Sequence, residues 1–114
     1  MNDFKDLFFG NLFPNLKYLG LRNSEIADEL AKLIANAPIL NLIEALDLSL
    51  GTLSDKGLES LLNSSLLKNL KKLDIYHHYC SSKLLQRLNQ FAKTTGIDVD
   101  FSEKLLEERD EDID

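Results

Sequence analysis

Aspartates recur along this chain at a spacing that would stack them into a column. Asp47 and Asp74 lie 27 residues apart, and Asp98 follows in a related segment. On neighbouring parallel strands, about 4.8 Å apart, such carboxylates repel by about 1 kcal/mol when hydrated and by a few when poorly screened. Gly20 heads the aspartate column. Tyr18, Ala45 and Lys72 run along one side of it, and Arg22, Ser49, Tyr76 and Asp100 along the other. The chemistry this spacing suggests is recognition: an acidic stripe receives Lys or Arg from a basic partner protein, with Tyr18 and Tyr76 as aromatic anchors. The expected partner-binding set is therefore Tyr18, Arg22, Asp47, Ser49, Lys72, Asp74, Tyr76, Asp98 and Asp100. The competing account is neutralisation within the chain, with Arg22, Lys71 and Lys72 reaching the aspartates diagonally.

Other chemistries fit less well. Tyr76-His77-His78-Tyr79-Cys80 carries zinc-ligand types, but adjacent histidines point to opposite sides, and Cys80 holds an apolar position of the pattern described below. Cys80 is expected in the core and His78 bonded within its loop, with no metal site. Asp47, Asp74, Asp98 and Asp100 are oxygen donors of the kind calcium takes, yet a flat sheet supplies no wrapping loop. No nucleophile motif, phosphate-cradling loop or acid–base pair is visible, so neither catalysis nor a cofactor is expected.

The elements that must hold these residues follow from a repeat. Leu16-x-x-Leu19-x-Leu21, Ile43-x-x-Leu46-x-Leu48 and Leu70-x-x-Leu73-x-Ile75 recur at an offset of 27, each followed five residues later by Ile26, Leu53 or Cys80. Each unit opens with alternation, which reads as a short strand, and continues at helical spacing. The helical positions are Leu30, Leu33, Ile34 and Ala37, then Leu58, Leu61, Leu62 and Ser65, then Leu84, Leu85, Leu88 and Phe91. Ser54 and Ser81 precede two helices as N-caps; in the first repeat Ser24 or Asp28 must serve instead. Pro38, Ser64-Ser65 and Thr94-Thr95-Gly96 close the helices. A fourth strand, Gly96 to Phe101, aligns Ile97-x-Val99 with Leu73-x-Ile75 at an offset of 24, as a shortened last turn. No unit can bury its own apolar face, so neighbours must stack.

This layout resembles ribonuclease-inhibitor-type leucine-rich repeats, and in detail it is similar to uncharacterised bacterial proteins of that class. Leu53-Ser54-Asp55-Lys56-Gly57 with Leu61 fits the family's Leu-x-x-x-Gly-x-x-x-Leu stretch, and Ile26, Leu30, Ile34 and Pro38 fit the same frame. The resemblance covers roughly residues 16–101. It implies an α/β fold: a short leucine-rich-repeat solenoid, a right-handed β-α superhelix with a parallel sheet on the concave face and helices on the convex face. It also implies protein binding by the concave face. Where the family places Asn or Cys to knit its loops, this chain has Ser24, Gly51 and His78. Gly51 has no side chain to bond with, so the second loop is expected to be the softest.

Composition sets the outer bounds. Leucine supplies 25 of 114 residues, and the formal net charge is −6. That charge argues against nucleic acid and anionic membrane as partners. The single cysteine argues for a reducing compartment, and the acidic N-terminal residues are unlike a signal peptide, so the cytoplasm is the expected location. Residues 1–15, rich in Phe4, Phe8, Phe9 and Phe13, read either as an aromatic cap or as the remnant of a preceding repeat in a longer horseshoe. Left open, that end would self-associate. Residues 102–114 read as an acidic tail, with a short helical stretch after Ser102.

Overall fold

Three-residue strands alternate with helices throughout the computed structural model, which describes residues 16–102. The strands are β1 (Tyr18–Gly20), β2 (Ala45–Asp47), β3 (Lys72–Asp74) and β4 (Asp98–Asp100). Among the described residues the α-helices are α1 (Ala27–Ala35), α2 (Asp55–Leu62) and α3 (Ser82–Thr95). The strands form one parallel sheet in the order β1-β2-β3-β4, as expected of an α/β chain. Tyr18 pairs with Ala45 and Ala45 with Lys72, so the 27-residue offset is also the spatial register.

The central residues of the strands, Leu19, Leu46 and Leu73, are buried and join a core with Leu30, Ile34, Leu58, Leu61, Leu84 and Leu88. Each such leucine contributes about 1.5–3 kcal/mol by leaving water. Cys80 lies in the same core. The strand residues on either side of the leucines point the opposite way, as a period of two requires. Helices therefore cover one face of the sheet, and polar side chains line the other.

The fourth strand corrects the expected alignment. Leu73 pairs with Val99 and Asp74 with Asp100, an offset of 26 rather than 24. Asp98 therefore stands in the column of Tyr18, Ala45 and Lys72, and Asp100 stands in the column of Gly20, Asp47 and Asp74. The reason lies in the third helix. The first two repeats use helices of nine and eight residues followed by 3-10 turns at Pro38–Asn41 and Leu67–Asn69. The third uses one helix of 14 residues, closed by Gly96 in the left-handed region (φ 81°) with its N–H on Ala92 O. The chain thus reaches β4 one residue early. Ile97 then Val99 replaces the Leu-x-x-Leu spacing.

The 3-10 turns bury Ile39, Leu40 and Leu67. They also end α2 at Leu62, which leaves Ser65 exposed outside the helix rather than on its buried face. The second loop makes contacts of its own. A methyl group at Gly51 would lie 2.6 Å from Ser24 O, so glycine permits the two loops to touch. Thr52 N–H then donates to Ser24 O at 3.0 Å, and the Thr52 hydroxyl reaches the same oxygen. The Thr52 amide and hydroxyl thus tie this loop to the first one, where Gly51 offers no side chain. None of the described helices is long and apolar enough to cross a membrane. The expected N-terminal cap or repeat remnant and its self-association lie outside the described residues, as do residues 103–114 of the tail.

Candidate functional site

Asp47 sits at the centre of the open sheet face, and it is buried at 7% exposure. Ser49 N–H donates to its Oδ1 at 2.9 Å, and the Tyr18 hydroxyl donates to Oδ2 at 2.8 Å. The Arg22 guanidinium lies 3.7 Å from Oδ2. Burial works to raise the carboxyl pKa, but the bonds from Ser49 and then Tyr18, with the Arg22 charge, outweigh it and hold Asp47 below the usual carboxylate range. The same bond pushes the Tyr18 phenol above its ordinary value, reinforced by burial and by the Asp47 charge.

Two more aspartates repeat the first of these contacts. Tyr76 N–H donates to Asp74 Oδ1 at 3.0 Å, and Ser102 N–H donates to Asp100 Oδ1 at 3.1 Å. The Ser102 hydroxyl adds a second bond at 2.7 Å, and these bonds hold Asp100 below the usual range. Each aspartate of the column thus closes a turn at the end of its own strand, as Asx side chains do by bonding the backbone two residues on. That local role answers why like charges are tolerated on adjacent strands. The second oxygens of Asp74 and Asp100 accept no hydrogen bond among the described residues.

Neutralisation within the chain is partial. Arg22 serves Asp47, and the Lys72 charge acts on Asp100. Lys71 is diverted, pairing at 3.8 Å with Glu44, which also pairs with Lys17 at 3.7 Å. Of the residues expected to meet a partner, Tyr18, Arg22, Lys72, Asp98 and Asp100 are exposed, Asp74 and Tyr76 are half-buried, and Asp47 and Ser49 are buried. The last two act as supports. Tyr76 stacks at a tilt on His77, with ring centroids 5.1 Å apart.

Two small residues escaped the sequence reading as parts of the site. Gly20 gives way to the Tyr18 ring, since a methyl there would lie 2.8 Å from Tyr18 Cε2. The ring therefore lies across the sheet toward Asp47. Ala45 stands between Tyr18 and Lys72 and leaves a notch of about 270 Å³, walled by Tyr18, Asp47, Lys72 and Asp74. The available signal was a small residue interrupting each column of larger ones.

His78 knits the third loop. It is fully buried; its Nδ1 accepts the Cys80 N–H at 3.0 Å, and Nε2 lies 2.8 Å from Phe101 O. Because an amide N–H only donates, Nδ1 must present its lone pair, so Nε2 carries the proton and donates to the carbonyl. The ring thereby fastens the loop to the end of β4. Among the described residues no group of three or more His, Cys, Asp or Glu is placed to hold a metal ion.

No family model matches this chain, and no curated protein matches it. A crystal structure of a Bacteroides fragilis protein is similar to it, with a TM-score of 0.82 and 30% identity over 94% of this chain. The chain spans 30% of that protein's length.

Proposed function

We propose that this chain is a short leucine-rich-repeat solenoid whose open sheet face binds a basic segment of a partner protein, without catalysis. The register of strands at the repeat spacing supports the solenoid. The observation that carries the binding role is the sheet face itself. Exposed Tyr18, Lys72, Asp98 and Asp100 share it, and no described element covers it. Four carboxylates (Asp47, Asp74, Asp98, Asp100) stand against two cations (Arg22, Lys72), an excess of two negative charges that complements a basic partner. The Tyr18 ring, held by Asp47, offers a rigid aromatic contact of the kind that dominates interface energetics.

The test is capture of a protein from lysate by the wild-type chain beside an Asp74→Lys, Asp100→Lys variant. Asp47 is left intact because its burial would confound folding with binding. A protein retained by the wild type, lost in the variant and released by raised salt supports the reading, provided both chains melt alike. Equal retention by both excludes the acidic face.

A second reading is that the chain serves as the C-terminal capping part of a larger repeat protein, with a mainly structural role. Its match to 30% of a longer protein favours it. An additional repeat encoded just upstream would decide for it.

A further inference from the structure

We infer that the notch over Ala45 takes one arginine side chain of the partner, an inference that rests on the partner-recognition reading above. The notch is a cavity and not merely an acidic patch. Its volume of about 270 Å³ exists because a methyl side chain stands between Tyr18 and Lys72 on adjacent strands. The Tyr18 ring forms one wall, fixed in place at its hydroxyl by Asp47 and beneath by Gly20. A ring already ordered loses little freedom on binding.

Charge selects the occupant. Asp47 is matched by Arg22. Lys72, which also lines the notch and makes no ion pair among the described residues, stands next to Asp98 in register and acts on Asp100. Asp74 is the remaining carboxylate of the notch: it makes no ion pair among the described residues, and one of its oxygens accepts no hydrogen bond there. A ligand that satisfies all three surfaces needs an aliphatic stem for Ala45, a flat cationic head for the tyrosine face, and donors for Asp74. Guanidinium stacks on aromatic rings and pairs with carboxylates in one planar group, which a lysine ammonium does not.

The test uses N-acetyl-arginine amide, titrated against the full chain while the Ala45 methyl and Tyr18 ring signals are followed by NMR. Citrulline and lysine counterparts are the controls: citrulline keeps the shape and loses the charge. Saturable shifts at both residues with arginine, absent with citrulline and weaker with lysine, are expected. Ala45→Leu fills the notch from the solvent side without altering a charge and should weaken binding about tenfold or more. Asp74→Asn should do the same, and it serves as the second variant should Ala45→Leu fail to fold. An unmoved Ala45 methyl, an equal response to citrulline, or affinity unchanged in both variants overturns the inference. Failure of the broader reading is distinguishable. A partner retained by Ala45→Leu but lost from Asp74→Lys, Asp100→Lys keeps the acidic face and removes the notch.

Discussion

Aspartate does two different jobs on the two sides of this molecule. On the helical side, Asp28 in the first turn of α1 reaches across to the next repeat. Its Oδ1 accepts Ser54 N–H at 2.8 Å and Gly57 N–H at 3.0 Å, and its Oδ2 accepts the Ser54 hydroxyl. Asp55, one repeat on, accepts Ser81 N–H at 2.7 Å. These carboxylates satisfy the orphan amides at the start of the following helix, so they join units. On the sheet side, Asp47, Asp74 and Asp100 bond amides two residues ahead in their own unit. The first set holds the stack together. The second shapes single turns; Asp74 and Asp100 leave negative charge facing outward, while Asp47 is buried and also meets Tyr18 and Arg22 of the preceding repeat. Asp28 and Asp55 lie 27 residues apart, as do Asp47 and Asp74, so periodicity alone does not reveal which set serves stability.

Breaking the inter-repeat set should cost most. Asp28→Ala removes a carboxylate with three partners, and hydrogen bonds to charged groups are individually strong. Denaturant unfolding should show a loss of about 3 kcal/mol, while partner capture per folded molecule stays unchanged. Asp47→Asn should cost about 2 kcal/mol, because a buried amide acceptor replaces a charged one. Asp74→Ala should cost under about 1 kcal/mol, since its turn is half-exposed. A larger loss at Asp74 than at Asp28 would overturn the division drawn above.

Titration sharpens the contrast within the sheet-side set. Asp47 is held below the ordinary carboxylate pKa, which it regains on unfolding. Its contribution is therefore fully present above about pH 3.9 and is lost as pH falls below that value. The acid limb of a stability–pH curve should flatten in Asp47→Asn. In the same variant the Tyr18 phenol should move back toward its usual value of about 10, because the bond to a carboxylate is gone. Ultraviolet titration of the three tyrosines reads this directly, with Tyr18→Phe assigning the signal. The smallest effect is expected at Leu50, which adopts φ 59° at the place held in neighbouring repeats by Asn23 (φ 60°) and His77 (φ 66°). Leu50→Asn should raise stability by about 0.5–1 kcal/mol, since asparagine tolerates the left-handed region.

Much of the arrangement is legible from residue order, for identifiable reasons. Strand centres at Leu19, Leu46 and Leu73 follow from strict spacing, and their burial follows from having no other apolar face to turn inward. Ser81 caps α3 as its position predicts, accepting Leu84 N–H at 3.4 Å. Ser54 occupies the same place before α2 but donates to Asp28 instead. A local pattern cannot show that a competing acceptor from the previous repeat is near. The two 3-10 turns were hidden because Ile39, Leu40 and Leu67 fall in short runs between each helix closure and the next strand, too brief to show a period.

The sequence by itself determined the repeat length, the apolar positions and the parallel α/β order, because these depend on which residues must leave water and on how often they recur. Tertiary structure alone decided three things. The register of β4 depended on how far α3 would run before Gly96 closed it. The direction in which each aspartate turned depended on which amide it could reach. The notch over Ala45 depended on the Tyr18 ring leaning across Gly20 to Asp47, a contact between residues 29 apart. Each of these depends on which groups the folded chain brings within reach, within a repeat or between repeats, and that is not written in the order of residues along one chain.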